Sequence, residues 1–161
     1  MEVSAEKEIN QIEVGKPHVV ILGAGASYAA CPDGDRNGRK LPLMNNFVET
    51  LGFEDLIART GLSFSSTNFE DIYTQIHQNP KLSNIREELE KVVYDYFKGM
   101  ELPDEPTIYD HLVLSLRNKD FIATFNWDPF LVQAIRRNGQ RFKMPRTLFL
   151  HGNVEVGYCQ D

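Results

Sequence analysis

The sequence is short of several things, and each shortage removes a class of protein. It holds only two cysteines, Cys31 and Cys159, too few for a disulfide framework or for a four-cysteine zinc site within this chain. A reducing, cytoplasmic setting is therefore expected. No purely apolar run exceeds four residues, as in Val19 to Leu22, whereas a membrane-spanning helix needs about 20, so no membrane span is expected. The N-terminal stretch carries Glu2, Glu6, Glu8 and Glu13 without an apolar core, which does not fit a secretory signal. Basic residues are in deficit: 17 Lys plus Arg against 23 Asp plus Glu give a net charge of −6. That balance disfavours a general nucleic-acid binder. One local run, Arg136, Arg137, Arg141, Lys143 and Arg146, has no acid between Pro129 and Val154. In an acidic protein such a run reads as a solvated face ahead of a nucleic-acid contact.

What is present fits an ordinary globule. The 161 residues, 42% hydrophobic and 25% charged, amount to one domain with a core of its own. Residues 1–16 read as a flexible lead-in and 17–161 as the domain. Val19 to Leu22 is a short aliphatic run that stops at Gly23-Ala24-Gly25-Ala26-Ser27, the pattern of a buried strand, a glycine turn and a helix start. Cys31 to Lys40, with Pro32, Gly34 and Gly38, predicts a loop or flap.

A helical insertion over about 42–118 is predicted next. Leu43, Phe47 and Leu51, then Phe53, Leu56 and Ile57, give two short helices broken near Gly52. Thr67 to Glu70 has capping-box spacing ahead of Phe69, Ile72, Tyr73 and Ile76. Leu82 to Tyr96 repeats at helical period and stops at Gly99, and Pro106 opens a helix with Ile108, Leu112, Val113 and Leu116 facing inward. Strands return at Phe121 to Phe125 and Thr147 to Leu150, separated by a helix from Pro129 to Arg137 and a turn at Asn138-Gly139. Strand, helical excursion, strand, helix, strand implies an α/β fold with a parallel sheet.

In such a sheet ligands lie beyond the C-terminal strand ends. Three polar sets follow the three strands: Gly23 to Ser27, Asn126-Trp127-Asp128, and His151-Gly152-Asn153. Gly23 and Gly25 suit close approach to a pyrophosphate, with Ser27 offering a hydroxyl; a tight strand-to-helix turn explains them equally well. Asn126 or Asp128 also fits an N-cap with Trp127 in the core, and His151 fits a strand-end histidine bonded to backbone. Tyr28 stands where the dinucleotide fingerprint has its third glycine, and no strand ending in an acid follows about 20 residues on, which disfavours a hydride-transfer dehydrogenase.

Gly23-Ala24-Gly25-Ala26-Ser27, Leu41-Pro42, Thr124 to Asp128 and Leu150-His151-Gly152 together resemble, in order and approximate spacing, the motifs of the sirtuin superfamily. The nearest likeness is to bacterial sirtuin-like domains that cleave NAD, many of them in anti-phage defence. The resemblance implies a Rossmann-like parallel sheet with helices on both faces, completed by strands beyond this sequence. It implies NAD as substrate, its phosphates at Gly23, Ala24, Gly25, Ala26 and Ser27. Asn126 would hold the nicotinamide ribose and the attacking water, Asp128 the nicotinamide amide, and His151 the ribose hydroxyls as general base. Hydrolysis to nicotinamide and ADP-ribose is the expected activity, with an NAD or ADP-ribose sensor and an NAD-dependent protein deacylase as alternatives.

Other points depart from the deacylases. No aromatic-Arg element lies between Cys31 and Lys40, Phe125 replaces the Gln before the Asn, and only Cys159 stands near a zinc-ligand position. A homo-oligomer, or further C-terminal domains in a longer parent, is also expected.

Overall fold

The computed structural model describes residues 16–140 and 143–157. Residues 1–15, Arg141 and Cys159, to which the sequence reading gave roles, lie outside the described residues. Three parallel strands, β1 (Val19–Leu22), β2 (Phe121–Thr124) and β3 (Arg146–Phe149), form one sheet in the order β1-β2-β3. The register sets Val19 beside Phe121 beside Arg146, and Leu22 beside Thr124 beside Phe149. Both pairings being parallel, the chain segments after Leu22, Thr124 and Phe149 emerge at the same end of the sheet.

Helix α1 (Ala24–Ala30) follows β1, and the insertion runs through α2 (Phe47–Leu51), α3 (Glu54–Ala58), α4 (Phe69–His77), α5 (Ser83–Lys98) and α6 (Ile108–Ser115). Helix α7 (Phe130–Gly139) joins β2 to β3. The predicted break at Gly52 is real: its φ of +69° ends α2 in the left-handed region that glycine enters without steric cost. Gly99 likewise follows the last turn of α5.

Several boundaries move. The α4 cap is Asn68, whose side chain accepts from the Glu70 amide, in place of a box begun by Thr67. The reciprocal box lies at Thr107 and Asp110, so α6 begins two residues after Pro106 and turns Tyr109, Asp110 and Val113 inward, leaving Ile108 exposed. The predicted turn at Asn138-Gly139 is the last turn of α7, and β3 starts one residue earlier than predicted. Cys31 to Lys40 is a loop but is fastened down. Buried Asp35 accepts from the amides of Asn37 (2.9 Å), Arg39 (2.8 Å) and Glu101 (3.2 Å), and Arg39 donates to the Tyr96 carbonyl (2.6 Å).

Helices were expected on both faces of the sheet, and among the described residues they cover one. Leu22, Ile122 and Thr124 are buried on the covered side, whereas Val19, Ile21 and Leu148 are 65%, 68% and 52% exposed on the other. The topology supplies the reason. Both connections step the same way across the sheet, and right-handed crossovers that step the same way fall on the same side.

The core is aromatic where the insertion meets the sheet. Phe47 stacks on Phe69 (centroids 4.3 Å apart), and Trp127 presents edge-on geometry to Phe47, Phe69 and Phe97 at 5.9, 6.4 and 6.2 Å. Trp127 thus takes the core position that its strand-end placement suggested, and it locks the chain after β2 onto α2, α4 and α5.

No helix among the described residues is long and apolar enough to cross a membrane. The basic run is largely accounted for by internal partners. Arg136 pairs with Glu155, Arg137 with Asp110 and the Pro103 carbonyl, and Arg146 lies 5.5 Å above the Phe121 ring.

Candidate functional site

The three strand ends close around one cavity of about 210 Å3. Gly23, Ala24 and Ser27 contribute from the first, Asn126 and Asp128 from the second, and His151 from the third. Leu41 and Pro42 also line it, which brings together every element of the ordered motif set. Gly25 and Ala26 are not part of its wall.

Beneath the cavity lies a buried polar network. Ser27, 1% exposed, donates its hydroxyl proton to Asp128 Oδ2 at 2.6 Å. Its lone pairs face the Tyr109 hydroxyl at 2.7 Å and the Asn126 amide nitrogen at 2.8 Å. Asn126 Nδ2 also donates to the Gly23 carbonyl (2.9 Å) and lies 3.2 Å from the Tyr109 oxygen. The Gly23 carbonyl can only accept, so it fixes the amide flip and directs Oδ1 away from the network. Asn126 is 8% exposed, and among the described residues its Oδ1 has no hydrogen-bond partner.

Ser27 has therefore committed its proton and both lone pairs to the protein. Its hydroxyl positions Asn126 and Asp128, while Gly23, Ala24 and Ser27 line the cavity from this turn. Neither Gly23 nor Gly25 has a positive φ, and a Cβ at either would meet no atom within 4 Å. The fold does not demand glycine there, and the space outside both is open to a ligand.

Asp128 Oδ1 accepts from the Phe130 amide at 3.3 Å, so the carboxylate also supports the start of α7, although the N-cap is Pro129 and neither Asn126 nor Asp128 occupies it. Burial pushes its pKa up to about 6, against the lowering effect of the Ser27 and Phe130 hydrogen bonds. A folded-state pKa above the unfolded value means that the native state binds the proton more tightly. This contribution is then lost as pH rises from about 4 to 6, by roughly 2–3 kcal/mol. In thermal melts across that window, Asp128→Asn should flatten the fall; an unchanged slope would show that Asp128 is not its source.

His151 is exposed at the mouth, its ring edge-on to Phe125 with centroids 5.0 Å apart. Asn153 holds the third strand end against the second, donating to the carbonyls of Asp128 (2.7 Å) and Asn126 (3.3 Å).

Two site residues lie outside the strand-end motifs. Tyr109 reaches the network from α6, and burial raises its hydroxyl well above the usual tyrosine range. Glu70, at the start of α4, lines the cavity opposite the strand ends. The available signals were helical period and, at Glu70, capping-box spacing, and neither identified these residues as part of the cavity or its supporting network.

Among the described residues no group of three or more His, Cys, Asp or Glu side chains is placed to hold a metal ion. Cys31 is buried, and burial followed by Asp128 and Asp35 pushes its thiol up to about 11, so it is no nucleophile at neutral pH. No protein-family model matches the chain, and no curated protein matches it.

Proposed function

We propose that the domain binds NAD with its nicotinamide-ribose end in this cavity and hydrolyses the glycosidic bond to nicotinamide and ADP-ribose. The observation that carries this reading is the convergence, on one cavity, of Gly23-Ala24, the anchored Asn126 with a free Oδ1, buried Asp128 and His151. These are the residues to which the sirtuin-like resemblance gives roles. A cavity of about 210 Å3 is smaller than the roughly 300–1,000 Å3 of sites that enclose whole drug-sized ligands. It suits one end of a dinucleotide, with the phosphates leaving along the open backbone of Gly23. On this reading the sheet belongs to a Rossmann-like fold.

The chemistry asks for what the cavity has. Water adds to the ribose C1′ as the C–N bond breaks, and the bonding pair returns to the nicotinamide ring and neutralises it. The ribose is oxocarbenium-like between the two events, and the Asp128 carboxylate, held in low dielectric, opposes that positive charge. Asn126 Oδ1 accepts a proton-bearing partner, either the attacking water or a ribose hydroxyl. His151, at the rim, takes up the proton that water gives up and passes it to solvent. The packed aromatic floor excludes bulk water.

Nicotinamide release from NAD by the full chain tests the proposal directly. His151→Ala should lower the rate about 10²–10⁴-fold, the usual worth of general-base help, with the melting temperature unchanged because the side chain is exposed. Equal rates in the two proteins would remove His151 from the mechanism. Saturable NAD binding without product would replace hydrolysis by sensing.

A further inference from the structure

A second and larger cleft, of about 700 Å3, adjoins the first and shares Glu70, Trp127 and His151 with it. It lies between α4 and α5 on one side and the chain following β2 and β3 on the other. Its floor is apolar, with Phe69 and Leu89 buried at 2% and 1% exposure. Tyr73, Tyr94 and Trp127 add aromatic rings. No lysine or arginine is among its lining residues, and the two acids there, Glu70 and Glu90, differ in state. Glu90 accepts from the Tyr73 hydroxyl at 2.6 Å and lies 3.5 Å from Arg86. The Glu70 carboxylate has no hydrogen bond or ion pair among the described residues. The Tyr94 ring already receives one ammonium, Lys98 Nζ at 5.1 Å from its centroid.

This lining discriminates by charge. Aromatic faces attract cations through the ring quadrupole, and the unpaired, exposed Glu70 carboxylate adds a coulombic attraction at the rim. An anionic ligand meets the reverse of both. The apolar floor rewards a hydrocarbon or aromatic body. We propose that this cleft binds a small organic cation, an alkylated ammonium on an apolar body, with Glu70 opposing the charge and the Tyr94 and Trp127 rings flanking it. The proposal stands without the assignment of the smaller cavity to a dinucleotide, although the two sites share Glu70, Trp127 and His151.

Trp127 is the single tryptophan of the chain, so its emission reports on the cleft. The full chain would be titrated, with no NAD present, with benzyltrimethylammonium, neutral benzyl alcohol and anionic benzenesulfonate. The cation should give a saturable change with a dissociation constant at least about tenfold below that of the alcohol, and the sulfonate should bind more weakly than both. Glu70→Gln should erase most of the preference for the cation. Tyr94→Ala should weaken cation binding by about three- to tenfold and leave the alcohol nearly unaffected. Both positions are exposed, and circular dichroism confirms that each variant folds. Equal binding of cation and alcohol, an undiminished preference in Glu70→Gln, or no saturation with the cation would each overturn the proposal.

Discussion

Asn126→Ala should cut the rate of nicotinamide release by about 10²–10³-fold, the scale seen when one preorganised polar group is removed from a reacting centre. The side chain has two separable jobs. Its nitrogen ties the strand-two end to the strand-one turn through Gly23 (2.9 Å) and Ser27 (2.8 Å), and its oxygen is the one atom of the amide left for a ligand. Alanine removes both: the Gly23 carbonyl keeps the Ala26 amide, and the buried Ser27 oxygen loses a donor at a cost of about 1–3 kcal/mol. Asn126→Asp separates the jobs. It keeps an acceptor oxygen but cannot donate from the other, and it sets a second carboxylate beside Asp128, so it should lose more stability than alanine while also losing activity. Rates of nicotinamide release measured beside urea denaturation distinguish these effects. An Asn126→Ala protein that folds and keeps more than about a tenth of the activity, less than 1.4 kcal/mol of barrier, would sink the assigned role.

The largest loss of stability is expected at Asp110. It is 4% exposed and accepts from the Thr107 amide (2.7 Å) and hydroxyl (2.8 Å), from Arg137 Nε (2.9 Å) and Nη2, and from Asn138 (2.7 Å). The carboxylate therefore caps α6 and bolts it to α7, the helix that carries the chain from β2 to β3. Asp110→Ala leaves the Arg137 guanidinium, 34% exposed, with the Pro103 carbonyl and solvent and uncaps α6, so a loss of about 2–3 kcal/mol is expected, below the roughly 3–5 kcal/mol of a fully buried pair and read as a lower urea midpoint with the slope unchanged.

The pH dependence carries a matching signature. Burial would raise the Asp110 pKa, but Arg137 and the Thr107 amide overcome it and hold the carboxyl down to about 2. Asp120 is held to about 2 chiefly by the His18 and Arg117 amides. Both folded-state values lie below the unfolded one, so this stability is present above about pH 4 and is lost as pH falls toward 2. Asp128 works in the opposite direction between about 4 and 6, so stability should peak near pH 4–5. In Asp110→Ala the acid limb should be shallower than in the parent; an identical limb would contradict the assignment.

The strands, the glycine turn and the polar strand ends were legible because each is a short-range pattern, and parallel pairing then gathers the strand ends into one place. The face of α6 was misread because helical period fixes a stripe but not its phase. Moving the cap to Thr107 exchanged Ile108 for Tyr109 on the inner side. The bare sheet face was missed because the strand runs look equally apolar on both sides, and only the order β1-β2-β3 shows that the crossovers share a side. The internal partners of Ser27 were not legible, because Tyr109 and Asp128 are 82 and 101 residues away, beyond any local pattern.

That separation also has a consequence in time. β1 and β2 are adjacent in space, yet Val19 pairs with Phe121 across 102 positions, and Ser27 meets Asn126 across 99. The helices of the insertion need only neighbours to form, whereas the sheet needs the whole excursion closed, a step that is entropically costly and slow. During folding, most of the helical signal should therefore return before the cavity exists. The site should thus be late to form, and any disturbance that reopens the β1–β2 seam should dismantle it.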